Sequence, residues 1–132
     1  MPTPDPISEP PFILDGAIVV EYAPFDAEMK SARRISAVLG GVAVDLLNVF
    51  GLAIVEELAK GDRYLLLCDQ DWATLAAEPC DDLASGRARG ENVFPGAGRL
   101  WRPYREHTGE ERREIDSTRA FLRELIADNP DA

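Results

Sequence analysis

The sequence predicts an α+β fold in which an antiparallel sheet of about four or five strands is packed by one or two helices, the last of them C-terminal. Three observations lead to this prediction. Residues 64–68 are apolar on both faces, as a strand covered on both sides would be. Turn-forming residues at 60–62 and 69–71 flank that strand and suit hairpins. Apolar residues at helical spacing then follow within 110–128.

The length and composition indicate one domain, predicted over 12–132 and preceded by a flexible arm over 1–11. The arm contains five of the ten prolines, which exclude a helix or a central strand there. Cys68 and Cys80 are too few for a disulfide framework, and the first residues lack the basic and apolar regions of a signal peptide. We therefore expect a cytoplasmic protein.

The first half of the chain contains a predicted strand and an irregular segment. β-Branched and aromatic residues fill 17–23, and Pro24 ends that strand. Residues 26–38 are polar and fit a helical turn or a long loop. Residues 35–55 are largely apolar, but glycines and polar residues interrupt them, so they indicate core rather than a membrane span of about 20 residues.

Residues 44–60 are compatible with two secondary structures. As a helix, the apolar side chains would share one face, and Gly61 would follow at the C′ position. As a strand, side chains alternate over 52–59, and the loop that contains Gly61 becomes a hairpin connection. We favour the strand because Gly51 and several β-branched residues weaken a helix.

Two further strands complete the predicted sheet. Asp69 begins a turn, because its carboxylate can accept hydrogen bonds from nearby backbone N–H groups. Residues 72–77 can then return as the next strand, which Pro79 is expected to end. Residues 99–104 are predicted to form a closing strand.

Two helices are predicted after these strands. The first spans 83–94 and can be capped by Asp81 or Asp82, although Gly86 and Gly90 would each cost it about 1 kcal/mol relative to alanine. The second begins at a capping box that Thr108 forms with Glu111. The face of this second helix that is predicted to pack on the sheet comprises Ile115, Thr118, Leu122, Leu125 and Ile126.

Charge is unevenly distributed along the chain, whose net charge is −10. Residues 1–84 hold fifteen acidic and five basic residues, whereas 85–132 hold nine of each. Within 85–105, five arginines and one acidic residue are interleaved with Trp101 and Tyr104. The overall acidity disfavours binding to nucleic acid and to anionic membranes, because the negative charge repels phosphate, while it favours fast association with a basic protein.

The candidate partner-binding residues are the acidic residues of the 64–84 region and the arginines that follow them. The alternative interpretation is structural: turns and helix caps need these carboxylates, Arg87 and Arg89 pair with them, and Trp101 enters the core. The carboxylates would suit Ca²⁺ or Mg²⁺, but the calcium-loop pattern fails, so no metal or other cofactor is predicted. The predicted partner-binding residues are Asp69, Asp71, Asp81, Asp82, Arg87, Arg89, Arg99 and Arg102.

Residues 64–72, Tyr-Leu-Leu-Leu-Cys-Asp-Gln-Asp-Trp, precede the predicted helix, Pro95-Gly96 and Trp101. This order resembles a group of small, uncharacterised bacterial proteins in which a strand ending in Cys-Asp-x-x-Trp precedes a helix, a glycine and another tryptophan. The resemblance covers about 51–101, and the two glycines inside the helix depart from it. The group has no assigned activity, so the resemblance implies antiparallel strands and a bacterial origin but no catalytic residue.

Four functions are compatible with these features. The least favoured is a nucleic-acid binder, in which the arginines pair with phosphates and Trp101 and Tyr104 stack on bases. The other three follow. The first is a small acidic, non-enzymatic protein-binding protein, such as an immunity or antitoxin-type inhibitor of a basic partner. The second is a self-assembling interaction module, in which the basic segment of one copy docks on the acidic residues of another, giving a homo-oligomer. The third is a small hydrolase or metal-dependent enzyme, for which Cys68 with His107 and Asp69 is the one nucleophile and base assembly available.

Overall fold

The α+β prediction is confirmed by a computed structural model that describes residues 9–26, 36–39 and 41–128. Residues 1–8 of the predicted arm and 27–35 of the predicted loop lie outside the described residues. The strands are β1 Ile13–Leu14, β2 Ala17–Pro24, β3 Ser36–Leu39, β4 Val42–Asp45, β5 Gly51–Glu57, β6 Arg63–Cys68, β7 Thr74–Cys80 and β8 Arg102–Pro103; the α-helices are α1 Leu83–Val93 and α2 Gly109–Asp128.

The main sheet is antiparallel throughout, with neighbouring strands in the order β1-β2-β5-β6-β7. The short β8 pairs with Glu21 and Tyr22 of β2, further along that strand than the residues that pair with β1. β3 and β4 form a separate hairpin. The β1–β2 turn is formed by Asp15 and Gly16, which have φ angles of 52° and 76°. Positive φ at both central residues is what a tight type I′ hairpin turn requires, and Asp-Gly is a preferred pair for it.

The strand that we favoured within 44–60 is present, although it ends at Glu57 rather than at Ala59. Leu46–Asn48 forms a short 3-10 helix, and Gly51–Glu57 forms the centre of the sheet between β2 and β6. Leu52 and Ile54 point to one face of β5, whereas Ala53 and Val55 point to the other, and all four are buried. A strand buried on both faces has a continuous apolar sequence, which explains why its pattern also fitted a helix.

The two faces of the sheet are covered differently. On the first, which we call the helix face, α1 packs over a core that includes Phe25, Leu65 and Phe94. Trp101 is half-buried against this core. On the second, which we call the groove face, the buried cluster comprises Leu14, Ala17, Val19, Tyr22, Ala53, Val55, Leu66, Cys68 and Trp72, with Tyr64 and Tyr104 packed against it.

The two glycines in α1 allow the helix to lie close to the sheet. A Cβ atom at Gly86 would lie 2.8 Å from Ile54 Cδ1, and one at Gly90 would lie 3.1 Å from Leu52 Cδ1. Asp82 caps the helix: its carboxylate accepts a hydrogen bond from the Ser85 N–H at 2.8 Å. The glycines therefore trade helix propensity for close packing.

The bounds of two predicted strands are wrong. The strand predicted over 72–77 begins at Thr74, and Pro79 does not end it, since β7 continues to Cys80. β7 is an edge strand of the sheet in the described residues, where a missing N–H can face solvent without loss of a ladder hydrogen bond. The predicted closing strand over 99–104 is reduced to Arg102–Pro103, because Ala97–Arg99 forms a 3-10 helix.

The C-terminal helix begins where predicted, with reciprocal hydrogen bonds between Thr108 and Glu111 at 2.9 and 3.1 Å. Only the N-terminal part of its apolar face is covered. Ile115 is buried, whereas Leu125 and Ile126 stay 44% and 37% exposed. The prediction that the whole apolar face packs on the sheet is therefore wrong for its C-terminal half.

Candidate partner-binding surface

A β-bulge places a carboxylate under α1, where an arginine of the predicted basic segment meets it. The β2–β5 register shifts between Val19 and Glu21, so the residues after the bulge change faces. Glu21 thereby lies buried on the helix face and accepts two hydrogen bonds from Arg87, one of them from Nε at 2.8 Å. This hydrogen-bonded pairing raises the pKa of Arg87. Arg87 therefore has a structural role as the partner of a buried carboxylate.

Removing the partner of Glu21 should destabilise the protein. Arg87→Met is expected to lower the melting temperature by roughly 5 °C, because it leaves a carboxylate whose side chain is 10% exposed without a cation. Adding Glu21→Leu should restore most of the loss. Arg89→Met is the matched control, since its partner Glu78 is 26% exposed. Thermal denaturation that shows equal losses for both single variants would contradict this expectation.

The remaining arginines of the basic segment also contact residues of the same chain. Arg89 Nε donates to Glu78 at 2.8 Å, within the acidic region as the structural alternative expected. Arg99 donates to both oxygens of Asp26 at 2.9 and 3.3 Å. Arg102 is exposed, and its guanidinium lies 5.7 Å from the centre of the Tyr22 ring.

Arg105 holds the N-terminal segment against the start of α2. It donates to Glu9 at 2.9 Å and to Glu111 at 2.7 Å. The hydrogen bonds from Arg105, followed by the one from the Thr108 N–H, lower the pKa of Glu111 to about 2. Tyr104 donates its hydroxyl hydrogen bond to the Pro10 carbonyl at 2.9 Å. Glu9 and Pro10 of the predicted arm therefore contact the rest of the domain.

The four predicted acidic residues do not form one cluster. Asp69 and Asp71 precede β7, and Asp81 and Asp82 follow it, and a strand of seven residues spans roughly 20 Å. Asp69 accepts hydrogen bonds from the backbone N–H groups of Asp71 and Ala73 at 2.8 and 2.9 Å. The hydrogen bond from the Ser85 N–H lowers the pKa of the helix cap Asp82.

Asp71 and Asp81 differ from these two structural carboxylates. Both are exposed, and within the part of the chain that the structure describes neither forms an ion pair. They are the two predicted acidic residues whose side chains stay available to a partner.

A polar cleft of about 490 Å³ lies at the turn between β6 and β7. Asp71 and Trp72 form one side, and Tyr104 and Arg105 belong to the predicted basic, aromatic segment. Trp72 is buried, meets the Tyr22 ring edge-on at 6.0 Å, and has a φ of 63°. A left-handed backbone at a tryptophan is strained, and the turn hydrogen bonds of Asp69 hold it there.

Two adjoining apolar grooves lie at the other end of the sheet, and the sequence analysis missed them. The first, the sheet groove, has a volume of about 180 Å³ and crosses the groove face; its lining is Leu14, Asp15, Ala17, Val55, Glu57, Tyr64, Leu66 and Ala77. The second, the helix groove, has a volume of about 310 Å³ and is lined by Asp15, Gly16, Glu57, Ala59, Leu122, Leu125 and Ile126. The sequence feature that marks the helix groove is the apolar face of α2, but the same spacing of apolar residues also predicts a buried helix face.

Among the described residues, no hydrogen bond joins Cys68 to His107, the base that the hydrolase hypothesis requires. Burial, followed by the nearby Asp69 and Asp15 charges, raises the pKa of the Cys68 thiol to about 12. His107 packs its ring against Phe12 and Tyr104 at centroid distances of 6.0 and 5.7 Å. At neutral pH the Cys68 thiol therefore stays protonated.

This protonation state has a measurable consequence. Iodoacetamide at neutral pH should modify Cys80 slowly, since burial raises its pKa as well, and should leave Cys68 unmodified until the protein is unfolded. Mass spectrometry of the native and denatured protein checks the order. Fast labelling of Cys68 in the native protein would contradict this expectation and would support the hydrolase hypothesis.

The described residues, 9–26, 36–39 and 41–128, contain no group of three or more His, Cys, Asp or Glu side chains arranged to hold a metal ion. No helix in the same part of the chain is long and apolar enough to cross a membrane.

No protein family, curated protein or solved structure matches this chain. The resemblance to small bacterial proteins through Cys-Asp-x-x-Trp therefore stays a prediction. The proposed function therefore rests on the fold and on the charged residues of the surface.

Proposed function

We propose that this chain is a non-enzymatic protein that binds a basic protein partner, in the manner of a small immunity protein or antitoxin that inhibits a cationic target. One observation carries the proposal: four of the five arginines of the predicted basic segment form ion pairs within the chain, whereas Asp71 and Asp81 are exposed without ion pairs in the described residues. The surface that a partner meets therefore carries the acidic excess of a chain with net charge −10.

An acidic surface of this kind favours a basic partner for kinetic reasons. Unpaired carboxylates attract cationic surfaces at long range and raise the association rate, while they repel phosphate and anionic lipid. A nucleic acid is a poor candidate for the same reason, and four of the five arginines in the basic segment already pair with carboxylates. The free thiols Cys68 and Cys80 fit a reducing compartment, so we propose a cytoplasmic setting.

The test begins with affinity capture from the source cell at low and high salt. A captured basic protein is then used for association kinetics with the double variant Asp71→Lys with Asp81→Lys. We expect association about tenfold slower than wild type, with a flatter salt dependence.

The matched control is the double variant Glu110→Lys with Glu114→Lys, which changes the net charge equally at exposed positions of α2. This control should slow association less. Equal rates for the two double variants, or a captured partner that is not basic, would contradict the proposal.

A self-assembling interaction module is the second candidate. It is favoured by the apolar side chains that α2 leaves exposed, with Phe121 at 59% and Leu125 at 44%. Exposed apolar groups in one patch indicate an interaction surface. Light scattering across a concentration series distinguishes the two candidates: a monomer at high concentration and low salt eliminates self-assembly.

A further inference from the structure

We infer, resting on the proposed function, that the sheet groove and the helix groove together form one docking site for an amphipathic helix of the partner that carries lysines or arginines along its flanks. The two grooves are continuous, because Asp15 and Glu57 line both of them. The apolar floor comes from the sheet, and α2 supplies one wall with Leu122, Leu125 and Ile126.

The fold leaves an opening for a helix beside α2. α1 covers the helix face, and the cluster at the floor of the groove face is itself buried, so the opening lies at the outer part of the grooves. On the groove face, Ala77 is exposed and Tyr64 is half-buried, and both residues line the sheet groove. The C-terminal half of α2 stands beside this opening and keeps Leu125 and Ile126 exposed. An added helix would bury both surfaces at once.

The charge at the rim selects a basic occupant over a second copy of the chain. Asp15 is exposed, Glu57 is half-buried, and among the described residues neither forms an ion pair. Arg123 reaches the same end of α2 but donates to the Ala59 carbonyl at 3.4 Å. Two copies would bring these carboxylates and a net charge of −10 per chain together, whereas cationic flanks would pair with them.

A defined probe tests this site without knowledge of the partner. The probe is a fluorescent synthetic helix of leucine and lysine, with leucine on one face and lysine on the other. One control peptide has the same composition with leucine scattered around the helix, and a second replaces every lysine by glutamate. Anisotropy titrations with wild-type protein should show binding of the first peptide and at least tenfold weaker binding of both controls.

Leu125→Asp separates docking in the groove from simple charge attraction. The substitution makes the surface more acidic, so charge alone would strengthen binding of the leucine-lysine helix. Loss of an apolar wall should instead weaken binding about tenfold. Val38→Asp, at a 65% exposed position of the β3–β4 hairpin, is the matched control and should bind as wild type does.

Ala77→Arg fills the groove from an exposed strand position and should abolish binding of the probe. Ala88→Arg on α1, with the same change in charge, should not. Equal affinities for Leu125→Asp and Val38→Asp, no binding of the probe to wild type, or equal binding of the glutamate peptide would each overturn the site. The captured partner tests the proposed function separately: a basic partner that binds Ala77→Arg and wild type equally leaves that function standing and removes the groove as its site.

Discussion

Replacing Phe94 with alanine is expected to lower the free energy of unfolding by about 4 kcal/mol. Phe94 is fully buried at the end of α1, and its ring meets Phe25 edge-on at a centroid distance of 4.9 Å. The substitution removes this aromatic contact and opens a cavity between α1 and the helix face, which the rigid sheet cannot close. Urea denaturation followed by circular dichroism measures the loss.

Phe121→Ala is the matched control for this prediction. Its side chain is 59% exposed on α2, so the same substitution should change the free energy of unfolding by only about 0.5 kcal/mol. Similar losses at the two positions would show that α2 is packed more tightly than the structure has it.

Gly86→Val is expected to destabilise the protein by about 3 kcal/mol. The Cβ alone would lie 2.8 Å from Ile54 Cδ1 and 3.3 Å from Cys80 Sγ, and valine adds two further methyl groups. Ile54 is fully buried in β5, so its side chain cannot move aside without disturbing neighbouring core residues. Helix propensity alone predicts the opposite sign, because valine is a better helix residue than glycine.

The control for this prediction is Ala88→Val, at an exposed position on the same helix. It should cost about 0.5 kcal/mol, the difference in helix propensity. If Gly86→Val proved as stable as wild type by chemical denaturation, the close approach of α1 to β5 would be wrong.

The parts of the fold that follow local rules could be predicted from the sequence. The apolar residues of β6 show a strand covered on both faces, and the Thr108–Glu111 pair marks the start of α2. The Asp15-Gly16 turn also follows a local sequence rule, but it was not among the predicted turns.

The parts that depend on how distant elements meet could not be predicted. Gly86 looks unfavourable in a helix until its distance to Ile54 is known. Arg87 pairs with Glu21, a residue 66 positions away, only because one extra residue in β2 turns that carboxylate to the helix face. A sequence pattern contains no information on either relationship.

The candidate site illustrates the same limit. The predicted turn role of Asp69 and cap role of Asp82 are correct. The distance between the two residues is set by the length of β7, which depends on where that strand begins and ends. The apolar spacing of α2 predicted a buried helix face. Leu125 is exposed because the sheet, in the part of the chain that the structure describes, does not extend beneath it, and the apolar spacing of the helix would be the same if it did.

The placement of the two tryptophans on opposite sides of the sheet gives the protein two independent fluorophores. Trp72 is buried with the groove-face cluster, whereas Trp101 packs against the core under α1. In a Trp101→Phe background, the emission spectrum reports the groove side alone, and Trp72→Phe reports the other. A ligand that docks in the polar cleft, which Trp72 lines, therefore alters one emission signal and leaves the other as an internal reference.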